Sequence, residues 1–201
     1  MKSRFLLFPV ALAMALATPA LAQSSQEWVT PPDDLPRVEH GPRLSLDTLF
    51  GALKIAPDEA SAKAIENRIW ALWLASGSDT CDLLMSRVKD AIDEKDYDLA
   101  LKLLNSVISI RPGYVEAWNR RATIYYLKQD YPRSIADIAE VLKREPRHFG
   151  ALAGLGLMLQ EIGDDKDALE AYRRALAVDP HLDNIPDVVK TLTDKVEGRE
   201  I

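Results

Sequence analysis

The sequence predicts an all-α protein, a solenoid of stacked helical hairpins with flanking helices, and three observations lead there. Pro112, Pro146 and Pro180 stand 34 residues apart, twice over. Each closes a stretch whose apolar residues recur at spacings of three and four, the period of an amphipathic helix. Each stretch is divided by a short polar turn at one register: KDYD from Lys95, QDYP from Gln129 and GDDK from Gly163. A fixed period of this size marks an array of units, each burying its apolar face only against its neighbours.

The elements follow in chain order. Residues 1–22 carry Lys2 and Arg4, an apolar run from Phe5 to Ala17 and the triplet Ala20-Leu21-Ala22, the three regions of a cleaved secretory signal peptide. The apolar run before Pro19 is short for a retained membrane span, and no Cys follows Ala22 to carry a lipid. Residues 23–43, QSSQEWVTPPDDLPRVEHGPR, hold four prolines and neither a helical nor a strand period, which predicts an extended, largely disordered linker. Trp28 within it is either a docking anchor or a stranded aromatic.

Residues 44–77 predict a helical pair. Ser45 caps a short helix with Leu46, Leu49, Phe50 and Leu53 on one stripe, and Pro57 ends it. A longer helix from Asp58 or Ser61 to Ala75 aligns Ile65, Ile69, Leu72 and Trp73, with Trp70 widening the apolar face and Gly77 after its end. The pair is expected to cover the N-terminal end of the stack, with Trp70 and Trp73 on the first repeat. Pairing of two protomers through the same stripe is the alternative.

Three units follow, 81–114, 115–148 and 149–182, each two antiparallel helices. In the third, Gly156, Ala168 and Ala175 are small where the helices must approach, while Leu152, Leu155, Leu159 and Tyr172 fill the space around them. Pro180 then stops the second helix. Residues 183–201 place Ile185, Val188, Val189, Leu192 and Val196 on one stripe of a charged segment, which suits a capping helix.

Period and pattern together resemble the tetratricopeptide repeat (TPR). The third unit matches it with Leu152, Leu155, Gly156, Leu159, Ala168, Tyr172, Ala175 and Pro180. The second matches with Trp118, Ala122, Tyr125, Ser134, Ile138, Val141 and Pro146, and the first with Leu84, Val88, Ala91, Ala100, Leu104, Val107 and Pro112. The resemblance spans 81–182 and implies a right-handed α-solenoid of three TPR hairpins with flanking N- and C-terminal helices. Pro57 would fall inside a first helix, so 44–77 stands outside it.

The resemblance also implies that the first helix of each unit lines a concave groove where peptide segments dock. That brings forward Met85, Ser86 and Lys89, then Asn119, Arg120, Thr123 and Tyr126, then Ala153, Gly154, Leu157 and Gln160. Lys89, Asn119, Arg120, Thr123, Tyr126, Leu157 and Gln160 are the candidate partner-binding residues, since Asn and Arg hydrogen-bond a peptide backbone or carboxylate and the small residues leave room. Arg121, at a usually apolar place, and Asp137 on the facing helix imply a structural ion pair. Relatives that clamp the C-terminal carboxylate of heat-shock chaperones use basic and Asn residues where this chain has Met85, Lys89, Arg120, Gly150 and Gly154, so that activity is not expected.

The chemistry the composition leaves open is narrow. Without residues 1–22 the chain has 23 basic and 31 acidic residues, a balance of −8 that disfavours nucleic acid. The single cysteine, Cys81, permits no internal disulfide and reads as a half-buried thiol. His40, His148 and His181 are scattered without metal-site spacing, no phosphate loop is present, and the carboxylates read as solvated helix faces. The layout resembles small exported repeat proteins of Gram-negative bacteria linked to cell-envelope integrity. The expectation is therefore a periplasmic, non-enzymatic adaptor with no cofactor, metal or membrane span after processing, its partner another envelope protein or peptide. The alternative is a regulatory subunit of an envelope enzyme that processes peptidoglycan or polysaccharide.

Overall fold

The computed structural model describes residues 28–32 and 45–198; the expected signal peptide and the remainder of the linker lie outside the described residues. The described chain is all-helical: α1 (Leu46–Lys54), α2 (Glu59–Leu74), α3 (Asp79–Asp93), α4 (Tyr97–Ile110), α5 (Val115–Leu127), α6 (Tyr131–Arg144), α7 (Phe149–Glu161), α8 (Asp165–Val178) and α9 (Ile185–Val196). Helices α3 to α8 form three antiparallel hairpins stacked in sequence order, and α9 closes the far end against α8.

The polar turns seen in the sequence are one device used three times. Asp96, Asp130 and Asp164 each accept a hydrogen bond from the backbone N–H three residues on, capping α4, α6 and α8. The residue before each is left-handed, with φ of 59° at Lys95, 57° at Gln129 and 86° at Gly163. Only Gly163 adopts that conformation without a Cβ clash.

Close approach inside the hairpins depends on small residues. Ala100, Ser134, Ala168 and Ala175 have no exposed surface, and the Ser134 hydroxyl donates to the Ala122 carbonyl of the facing helix at 2.7 Å. At Gly156 an added Cβ would stand 2.7 Å from the ring of buried Tyr172. Cys81 is fully buried, deeper than the half-burial expected of it.

The second hairpin is braced by Arg121. Its guanidinium donates to both Asp137 oxygens at 2.7 Å and to Asn105 Oδ1 at 2.6 Å, and it lies 4.8 Å over the Trp118 ring. Arg144 lies over the same ring, and both Arg144 and the Trp118 indole N–H donate to the Pro112 carbonyl. Asp137 is 6% exposed in its side chain, so its charge is offset by the bidentate pair rather than by water.

The N-terminal pair departs from expectation. It does not cover the first unit: Trp70 and Trp73 pack on His148, the last residue of the second, and on Phe149, the first of the third, and Phe50 lies under Arg147, which also bonds Asp47. Helix α2 lies against α5 and α7, with the Tyr114 hydroxyl donating to its last carbonyl, Leu74, at 2.8 Å. The reason is surface chemistry. The first helix of unit one offers Asp82, Ser86, Lys89 and Asp90, whereas α7 begins Phe149-Gly150-Ala151-Leu152-Ala153-Gly154, apolar and low enough to seat two indoles.

Substitution tests both contacts. Gly156→Ala is expected to destabilise the fold by about 1–3 kcal/mol through overpacking against Tyr172, and Asp137→Ala by about 2 kcal/mol or more through a stranded guanidinium. Both are read by thermal unfolding, and an unchanged midpoint for either would remove the corresponding contact from the account.

Candidate peptide-binding groove

The inner side of the stack is a trench cut by two glycines one turn apart on α7. A Cβ added at Gly150 would meet Trp70 at 2.9 Å and the Val29 carbonyl at 3.0 Å; one added at Gly154 would stand 2.5 Å from the Trp28 indole. Trp28 is 8% exposed and packs against Tyr126, ring centroids 5.3 Å apart. Residues 28–32 have no regular secondary structure and are seated in the groove rather than free. The segment runs from α7 across α5 towards α3, since Pro31 and Pro32 border a cavity with Lys89, Asn119, Arg120 and Thr123.

That cavity, about 270 Å³, gathers four of the candidate partner-binding residues. A second, about 260 Å³, lies between Trp28, α2 and α7 and includes Leu157. Tyr126 holds its hydroxyl on Glu161 at 2.7 Å, and Tyr131 reaches the other oxygen of that carboxylate at 2.7 Å. Burial, then the Glu161 carboxylate, raises the Tyr126 phenol, which stays protonated. Gln160 accepts from the Tyr172 hydroxyl at 3.4 Å. Met85 turns into the core of the first hairpin instead, and Ser86 is exposed.

Asn119 is more deeply set than a surface recognition residue, at 2% exposure. Its amide nitrogen donates to both oxygens of Glu116, at 3.0 and 3.1 Å, while its Oδ1 is buried with no hydrogen-bond partner among the described residues. The Nε of Arg120 and the indole Nε1 of Trp28 are buried without partners in the same way.

A buried polar group that sequence reasoning missed underlies this surface. Glu116 and His148 have no exposed surface. His148 Nδ1 accepts from the Ala151 N–H at 3.1 Å, capping α7, so the ring proton sits on Nε2, which meets Glu116 at 3.3 Å. Trp73 stacks flat on the ring, 4.1 Å away. A His–carboxylate pair can move protons, but this one is sealed and joins α2, α5 and α7. The available signal was the place of His148, immediately before a helix where a cap is needed.

Among the described residues no group of three or more His, Cys, Asp or Glu could hold a metal ion, and no helix is long and apolar enough to cross a membrane.

Comparison with known proteins decides the family. The tetratricopeptide repeat pattern matches residues 86–140 and 128–183. A TPR repeat-containing protein of Rhizobium etli is 41% identical over 157 residues, which is 78% of this chain and 77% of that protein. The chain belongs to the tetratricopeptide repeat family. Among solved structures, the Sgt2 TPR domain of Aspergillus fumigatus superposes with a TM-score of 0.55 at 24% identity, covering 60% of this chain and 81% of the other. The first TPR of Spaghetti, bound to an HSP90 peptide, gives 0.56 at 14% identity, covering 60% and 95%. These likenesses show the all-α TPR solenoid fold.

The TPR stack also buries a carboxyl at the C-terminal end of α8. Asp179 has no exposed surface, and its Oδ1 accepts from the His181 N–H at 3.0 Å. Burial, reinforced by the nearby Glu66 carboxylate and opposed by His181 and Lys63, pushes its pKa up to about 6 from 3.8. Between those values the folded chain keeps a proton that the unfolded chain has released, so this group adds stability as pH falls through the window and withholds it above. Asp179→Asn is expected to raise the unfolding midpoint at pH 7.5, by the order of 1 kcal/mol, with the gain fading by pH 4. A gain equal at both pH values, or a loss at pH 7.5, would contradict the assignment.

Proposed function

We propose that this protein is a periplasmic, non-enzymatic adaptor that holds an extended segment of another envelope protein in its inner groove and so supports envelope assembly or integrity. The observation that carries the reading is the seating of residues 28–32: the trench over Gly150 and Gly154 receives the Val29 carbonyl and the Trp28 indole. A groove that fits one extended peptide by shape is a binding face for such peptides, in the manner of other grooves that take side chains of an extended segment in turn. The solved TPR bound to an HSP90 peptide supports the same use of the fold. Export rests on the charged start, apolar run and Ala20-Leu21-Ala22 of residues 1–22.

In-cell photocrosslinking tests the reading. A photoreactive residue at Arg120 is expected to capture one envelope protein that the same residue at exposed Lys143 on α6 does not. The purified mature chain is expected to begin at Gln23. Capture of an enzyme that loses activity without this chain would shift the role to a regulatory subunit; identical capture from both positions would refute the groove.

A further inference from the structure

The occupant of the groove fits it well in shape and poorly in hydrogen bonding. Trp28 fills the notch over Gly154 closely enough to exclude a methyl group there. Further along, Pro31 and Pro32 share a cavity with Asn119 and Arg120. Proline has no N–H to give, and Asn119 Oδ1, Arg120 Nε and Trp28 Nε1 are all buried without partners among the described residues. Three of the six buried side-chain polar atoms without a partner among the described residues thus gather at this one surface, and each opposes burial until a partner reaches it.

Resting on the groove reading above, we infer that residues 28–32 are a tethered competitor. They close the groove against a protein segment that is extended, brings an aromatic side chain to the Gly154 notch, and offers backbone N–H and C=O groups where Pro31 and Pro32 now stand. The tether compensates for the poor polar fit. Twelve residues, 33–44, join Pro32 to Ser45, and a link of this length gives an effective concentration on the order of millimolar. A ligand that pairs Asn119 and Arg120 displaces the segment by mass action, so the resting chain rejects weak peptides and admits only those with the fuller set of contacts.

The test uses purified full chain and two fluorescein-labelled peptides, SSQEWVTPPDDLP (residues 24–36) and its P31A/P32A form, followed by anisotropy. Trp28→Ala is expected to bind both, the P31A/P32A peptide several-fold tighter, and wild type to bind at least about tenfold more weakly than Trp28→Ala. Adding Gly154→Ala to Trp28→Ala fills the notch and is expected to abolish binding, while alanine in place of glycine supports α7. Equal binding by wild type and Trp28→Ala overturns the inference, as does no binding by Trp28→Ala with circular dichroism unchanged. A wild-type dimer that Trp28→Ala converts to monomer also overturns it, replacing the tether by exchange between copies. The adaptor reading fails separately: crosslinking at Arg120 that captures nothing leaves these in vitro results standing, and capture equal in wild-type and Trp28→Ala cells keeps the groove but sinks the competitor.

Discussion

The structure depends on α7 having almost no side chains where its neighbours are largest. Gly156 faces Tyr172 of α8, and Gly150 and Gly154, on the opposite side, face Trp70 and Trp28. One helix of 13 residues thus admits its own hairpin partner, the N-terminal helical pair and the extended segment. Each glycine costs helix stability, on the order of 1 kcal/mol relative to alanine, and the aromatic burial it permits is the return. A helix apolar on all sides is a buried helix, and α7 is buried because the chain wraps back over it.

Polar groups fix which way it wraps. Glu116 takes hydrogen bonds from both Asn119 and His148, and Trp73 stacks on that imidazole, so α2 docks where the indole meets the ring. Arg121, Asp137 and Asn105 do the same between hairpins. Buried hydrogen-bonded networks of this kind favour one arrangement because any other would strand more of their polar groups. Of the six buried side-chain polar atoms without a partner among the described residues, Trp28 Nε1, Asn119 Oδ1 and Arg120 Nε lie where an outside segment would make its contacts.

Much of the architecture was legible because a repeat states its pattern several times. Pro112, Pro146 and Pro180, the small residues at Ala100, Ser134 and Ala168, and the three Asp-bearing turns each carry a local cause that needs no knowledge of the rest of the chain. The Arg121–Asp137 pairing could be read because both ends lie in one hairpin. What could not be read were contacts between distant segments. Apolar periodicity showed that Trp70 and Trp73 are buried without saying against what, and the nearer first repeat was the wrong surface. Likewise Pro31 and Pro32 dictated an extended segment, but only the trench over Gly154 makes Trp28 an occupant. Gly154 itself looked like room in a groove; the room is filled by the chain that supplies it.

The central claim is that Trp28 sits over Gly154, and fluorine NMR on chain labelled with 5-fluorotryptophan measures it directly. The Trp28 resonance, assigned by loss in Trp28→Phe, is expected to show almost no solvent-isotope shift between water and deuterium oxide in wild type, and a full shift in Gly154→Ala with the helical fold intact. A full shift in wild type would place the indole in solvent and contradict the account.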